Sequence, residues 1–239
     1  LYQLTGLTVT RRQVVRTPYG EPSGALTFGR IGDSDEIAFL ARHGYGHTLA
    51  PHRINYRANL WALHEVGVRR IVSVATVGGI GDGYTPGRIV VPDQIIDYTH
   101  DRLHTFFEGG DQAVAHADMT LPYGADMRAD LLTAAEAAGI DVRDGGTYGC
   151  TQGPRLETAA EIRRMARDGC DVVGMTGMPE AALARELELD YGALCLITND
   201  AAGQGASTGT ISLDEIRNTV ETTMQGIHAI LGSLVNLKD

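Results

Sequence analysis

Short apolar runs alternate with helical stripes through most of this 239-residue chain, and that alternation restricts the fold more than any single motif does. Residues 37–41 (Ile-Ala-Phe-Leu-Ala) read as a strand. The spacing of Ile54, Ala58, Trp61 and Ala62 predicts a helix closed by Gly67. Residues 71–75, 89–91, 147–151, 171–175 and 191–198 read as further strands. Between them, helices are expected over 126–138 (ended by Gly139), 159–167 and 179–187. A last helix carries Leu213, Ile216, Val220, Met224, Ile227 and Leu231, three or four residues apart. Strands alternating with helices predict an α/β fold: a central mixed, mostly parallel sheet flanked by helices on both faces. There is no repeat, linker or break in composition, so residues 1–239 are expected to form one domain.

Composition narrows the function classes. The net charge of −10 argues against a nucleic-acid surface, though a local cationic pocket remains possible. No apolar run is long enough to span a bilayer, and no signal-peptide pattern is visible. The three cysteines, Cys150, Cys170 and Cys195, have no metal-ligand spacing and read as buried thiols of a cytoplasmic protein.

The distinctive polar residues cluster just after the strands, where α/β sheets bind ligands. Arg42-His43 follows one strand. Arginine's planar fork suits an oxyanion such as phosphate, and a surface-turn ion pair suits the pattern equally. Thr76-Val-Gly-Gly-Ile80 lets a ligand approach the backbone, or is simply a tight turn. In Thr151-Gln-Gly-Pro-Arg-Leu-Glu157, the carboxylate either favours a helix start or aims into a pocket. Gly174-Met-Thr-Gly-Met-Pro-Glu180 sets a thioether and a hydroxyl side by side. Met175 also fits plain core and Thr176 a helix cap. Asn199 and Asp200 close the strand over 191–198, as site residues or as turn formers.

Taken together these motifs resemble the trimeric nucleoside phosphorylases. Pro51-His-Arg-Ile-Asn-Tyr-Arg-Ala-Asn-Leu-Trp61 and the 174–180 segment look like the methylthioadenosine phosphorylase branch. The resemblance covers nearly the whole chain. It implies the nucleoside phosphorylase fold, a homotrimer, and phosphate attack on the anomeric carbon of a purine nucleoside. It also implies phosphate as co-substrate, with no metal and no organic cofactor, and no nucleic-acid or membrane partner. By resemblance, Arg42, His43, Thr76 and Thr176 are phosphate ligands. Ala75 and Met175 line the ribose. Glu157 and Asn199 hold the base and carry the catalysis. His116 reaches the 5′ end of the substrate in a neighbouring subunit. The family also has a glycine-rich phosphate loop, and Leu1-Tyr-Gln-Leu-Thr-Gly6 resembles the residues that follow it.

Two positions bear on the substrate. Enzymes for 6-aminopurines look to have aspartates where this chain has Asn199 and Ala201. Asparagine both donates and accepts, so it can serve a 6-oxo group and a proton at N7. Glu157 can accept from the N1–H that 6-oxopurines carry. At the 5′ end, relatives taking ordinary nucleosides look to have histidine at the position of Leu213. Leu213 and Ile216 offer an apolar wall for a methylthio group, or merely pack the last helix. The expectation is phosphorolysis of a methylthio nucleoside of a 6-oxopurine. The alternatives are methylthioadenosine phosphorolysis, general inosine/guanosine phosphorolysis, and non-catalytic nucleoside binding.

Overall fold

The computed structural model describes residues 6–110 and 113–237. The opening residues that resemble the stretch after the phosphate loop therefore lie, all but Gly6, outside the described residues. Among the described residues ten strands and five α-helices follow one another. The strands are β1 (Leu7–Gln13), β2 (Leu26–Ile31), β3 (Ile37–Phe39), β4 (Arg70–Gly79), β5 (Ile89–Val91), β6 (Gln94–Asp97), β7 (Val142–Asp144), β8 (Thr147–Cys150), β9 (Val172–Gly174) and β10 (Asp190–Asp200). The helices are α1 (Tyr56–Glu65), α2 (Ala125–Ala137), α3 (Ala159–Asp168), α4 (Glu180–Glu186) and α5 (Leu213–Leu234).

The expected α/β fold is present. Seven strands form one mixed sheet in the order β6-β8-β9-β4-β10-β5-β7. Pairing is parallel at β6–β8, β8–β9, β4–β10 and β5–β7, and antiparallel at β4–β9 and β10–β5. A separate antiparallel sheet, β1-β2-β3, was not foreseen. The strand expected over 37–41 stops at Phe39, because the Ala41 carbonyl turns to accept from the Gly44 N–H.

The central strand β10 shows how the sequence drives this packing. Alternate side chains of a strand face opposite ways. Tyr191, Ala193, Cys195 and Ile197 pack with Tyr56 and Leu60 of α1 and Leu183 of α4. Leu194 and Leu196 pack with Leu131 of α2 and Ile227 of α5. Both faces are buried, so the strand reads as an unbroken apolar run. Each large aliphatic side chain buried this way contributes about 1.5–3 kcal/mol. The helix ends follow local chemistry. Gly67 and Gly139, the residues expected to close α1 and α2, have φ of 91° and 67°. Thr158 caps α3 through a reciprocal pair with Glu161.

The β4 edge matters for the site. On the side away from β10, β4 meets β9 only at Gly78 and Gly79. Along Ile71–Val74 that edge borders a cavity, which β3 lines from across the gap.

Candidate active site

A cavity of about 970 Å³ opens at the carboxyl ends of β4, β9 and β10 and runs on between β3 and β4. Arg42, His43, Ala75, Thr76, Glu157, Met175, Thr176, Asn199 and Ile216 all line it. These residues come from six separate stretches of chain, and the sheet topology brings them together. Two expected site residues stand elsewhere. Leu213, in the first turn of α5, is 65% exposed. His116 is exposed in an irregular segment.

Arg42 is more deeply engaged than a free phosphate ligand would be. Its Nε donates to Glu180 Oε2 at 2.6 Å and its Nη2 to Oε1 at 2.9 Å. Nη2 also donates to Ser73 Oγ at 2.5 Å, and Nη1 to the Val74 carbonyl at 3.3 Å. An arginine has five N–H groups, so one is left for a ligand. The turn-ion-pair reading of Arg42 is thus realised, but inside the cavity wall and not on the surface. Glu180 also accepts from the Tyr191 hydroxyl at 2.9 Å. Burial, with Glu180 alongside, drives the Tyr191 hydroxyl pKa well above its ordinary value and keeps it a neutral donor.

His43 donates from Nδ1 to the Leu49 carbonyl at 2.8 Å, which leaves Nε2 as its second polar atom. Its ring stacks on His47 with centroids 4.3 Å apart. Burial lowers its pKa below the ordinary 6.5. The Leu49 bond opposes that shift, and the positive charge of Arg42 reinforces it. His43 is therefore neutral near pH 7.

Glu157 and Asn199 are held by hydroxyls that the sequence reading passed over. Thr151 Oγ1 donates to Glu157 Oε1 at 2.6 Å. Thr198 Oγ1 donates to Asn199 Oδ1 at 2.9 Å, while Asn199 Nδ2 donates to the Asp200 carbonyl at 2.7 Å. A carbonyl oxygen can only accept, so this last bond fixes which end of the carboxamide is the NH2. Ala201 is 2% exposed and packs with Ile162, Met165 and Val173. Thr151 and Thr198 were signalled only as polar residues ending apolar strands, a weak cue.

Two glycines are required by packing within the protein itself. A Cβ on Gly79 would overlap the Tyr84 carbonyl oxygen, and one on Gly174 would overlap the Tyr148 hydroxyl. That hydroxyl accepts from the Thr176 N–H at 3.3 Å, so Gly174 lets Tyr148 brace the Thr176 turn. The three cysteines are free and buried, as expected. Burial pushes the Cys150 and Cys195 thiols up to about 12.

Donors of Arg42 and His43 beside β4, a carboxylate and a carboxamide at neighbouring strand ends, and apolar lining side chains suit an anion and a flat polar heterocycle together. The family described as the Phosphorylase superfamily matches residues 7–236. The chain belongs to that superfamily. A protein named probable S-methyl-5′-thioinosine phosphorylase, from Pseudomonas syringae pv. tomato, is 48% identical over 236 residues, covering 99% of this chain and 95% of its own. The 6-oxopurine nucleoside phosphorylase of Pyrococcus furiosus is 50% identical over 207 residues, covering 84% of this chain and 77% of its own. Among solved structures, a methylthioadenosine phosphorylase from an antarctic soil metagenomic library superposes with a TM-score of 0.89 at 38% identity, covering 98% of this chain and 81% of its own. Like its relatives, this phosphorylase is an enzyme of the nucleoside phosphorylase type. Among the described residues no helix is long and apolar enough to cross a membrane.

Proposed function

We propose that this phosphorylase cleaves S-methyl-5′-thioinosine with inorganic phosphate, releasing hypoxanthine and 5-methylthioribose 1-phosphate. The observation that carries the reading is the Asn199 carboxamide. It keeps one N–H and one oxygen lone pair after its two internal bonds, so it can donate to O6 and accept from a proton at N7. Glu157 lines the same cavity and keeps one oxygen for the N1–H of a 6-oxopurine. Ala201 supplies no second carboxylate for a 6-amino group.

The chemistry follows from that arrangement. A phosphate oxygen bonds to C1′ as the C1′–N9 bond breaks, and the electron pair leaves with the purine. Arg42, His43, Thr76 and Thr176 place the nucleophile, which turns an encounter into a positioned reaction. Asn199 and Glu157 stabilise the charge that the base gains in the transition state. Because that charge is larger in the transition state than in the bound substrate, the contacts lower the barrier and do not merely tighten binding. Phosphate is the co-substrate, and the reading calls for no metal or organic cofactor.

Ala75 and Met175 flank the ribose, and Ile216 gives an apolar surface to the methylthio group. We extend that surface to Leu213, in the first turn of α5. His116 reaches the 5′ end of a neighbour's substrate in a homotrimer, which fits its exposure and its place outside the lining of its own chain's cavity. We place the enzyme in the cytoplasm, where its three thiols stay reduced. The test is a base-release assay with methylthioinosine, methylthioadenosine and inosine, each with and without phosphate. Phosphate-dependent release, fastest from methylthioinosine, is expected. Equal release without phosphate removes the reading.

A further inference from the structure

We infer that Arg102 is the positioning residue of this site. Its single guanidinium sets the two loops that carry the base and phosphate contacts. The residue is 9% exposed and lies between β6 and α2, in a stretch with no regular structure. Its donors fan out in two directions. Nη2 donates to the Thr151 carbonyl at 3.2 Å and the Gln152 carbonyl at 2.7 Å, and Nε donates to Gln152 Oε1 at 3.0 Å. Nη1 is placed to donate to the Met175 carbonyl at 2.9 Å, the Met178 carbonyl at 2.5 Å and the Tyr56 hydroxyl oxygen at 3.2 Å. Tyr56 in turn donates to the Pro51 carbonyl at 3.0 Å, at the start of the segment entering α1.

The first loop begins with Thr151, whose hydroxyl holds Glu157. The second contains Met175 and Thr176, and leads into Glu180, which holds Arg42. Arg102 thus joins the base-reading carboxylate to the phosphate wall mainly through backbone carbonyl oxygens, Met175's among them, and does not itself line the cavity. A rigid planar fork suits this task, because its N–H vectors are fixed relative to one another. A lysine ammonium is a point charge with three donors on a flexible stem, so it can satisfy one loop and not both. A buried cation facing four carbonyl oxygens also explains why these turns hold their shape without regular secondary structure. Carbonyls that lose the partner are left unsatisfied in a desolvated place.

The inference rests on the proposed phosphorolysis for its kinetic consequences, so its test uses two independent readouts. The first is steady-state kinetics of Arg102→Ala and Arg102→Lys with phosphate and nucleoside varied separately. The second is amide hydrogen exchange over 151–158 and 174–180. We expect both variants to lose kcat/KM by roughly 100-fold, the scale of a displacement near 1 Å. kcat should fall and both KM values rise. Millimolar guanidinium should restore Arg102→Ala in part, and exchange should rise in both loops together while β10 stays protected. A purely structural residue would instead lower the melting temperature and leave kcat and both KM values at wild type below it. That outcome, or unchanged exchange in either loop of Arg102→Ala, overturns the inference. If Arg102→Ala does not fold, Arg102→Lys decides: lower kcat/KM with raised exchange in at least one loop supports the inference, and wild-type kinetics or unchanged exchange in both loops overturns it. If the wild-type enzyme cleaves no nucleoside, the proposed function falls, and the exchange data alone decide Arg102.

Discussion

The guanidinium of Arg42 meets the carboxylate of Glu180 in a two-pronged contact, Nε to Oε2 at 2.6 Å and Nη2 to Oε1 at 2.9 Å, with Glu180 buried and the Arg42 side chain 15% exposed. Removing one partner of such a pair strands the other charge, at a cost of about 3–5 kcal/mol. Replacing both with apolar residues is often close to neutral. Arg42→Met and Glu180→Leu should therefore each lower stability by that amount, while the double variant recovers most of it. Recovery of stability should not bring back phosphate saturation, because the one remaining Arg42 N–H would be gone. Denaturant unfolding and phosphate KM across the four proteins check this. A double variant with wild-type phosphate KM would make Arg42 a structural residue only.

His43 gives a pH prediction with a definite sign. Burial lowers its pKa in the folded state below 6.5. The unfolded chain then binds the proton more readily, so stability is fully present above pH 6.5. It is lost as the pH falls through 6.5 toward the folded-state value. One such group contributes a slope of at most about 1.4 kcal/mol per pH unit. Between pH 7.5 and 5, His43→Gln should lose less stability than wild type. Parallel curves for the two proteins would show that His43 does not titrate on unfolding.

Thr158 ties local structure to the proposed base contact at Glu157. Its hydroxyl accepts from the Glu161 N–H at 3.1 Å, and Glu161 accepts from the Thr158 N–H at 2.7 Å. Thr158→Ala should cost about 1 kcal/mol, or some 2–4 °C in melting temperature. Glu157 is the preceding residue, so nucleoside KM should rise while phosphate KM holds. Acid should act in the same region. Arg155, with the Thr158 N–H, holds the Glu161 carboxyl at about 2, well below its ordinary 4.5. The capping stability is present above pH 4.5 and lost as the pH falls toward 2.

What the sequence disclosed, and what it hid, follows from the range of the interactions. The strand β10 and helices α2 and α5 were readable because apolar spacing is a local signal, and each buries whole faces. The β1 strand was not, since the alternation of Leu7-Thr-Val-Thr10 is too short to stand out before Arg11-Arg-Gln13 and the strand is mostly exposed. The cavity-lining residues at strand ends were legible as polar residues closing apolar runs. Their partners were not. Glu180 lies 138 residues from Arg42, and Arg102 about 50 to 76 residues from the carbonyls it holds. Arg102 sits in the polar run Thr99–Thr105, where nothing in spacing or composition sets it apart from a surface arginine.

Asn199 carries the proposed reading of the base, and the structure adds a constraint to its replacement. In Asn199→Asp, the oxygen replacing Nδ2 would face the Asp200 carbonyl oxygen at the 2.7 Å now bridged by a hydrogen bond. Two acceptors at that distance repel, so the carboxylate must turn away and lose its Thr198 contact as well. Wild type should cleave methylthioinosine far better than methylthioadenosine, by up to ~10⁴-fold where buried hydrogen bonds are mismatched. Asn199→Asp should sharply impair the 6-oxo substrate and improve the 6-amino one only partly, since Glu157 finds no proton on adenine N1. Ala201→Asp alone buries a carboxylate among Ile162, Met165 and Val173, so it should mainly destabilise the fold. The double variant should shift preference toward methylthioadenosine further than either single change, at a stability cost set mostly by position 201. The measurement is kcat/KM on both nucleosides for all four proteins, at a temperature where each is folded. A wild type that already prefers the adenine nucleoside would mean that Asn199 does not read the 6-position, and the substrate would be methylthioadenosine.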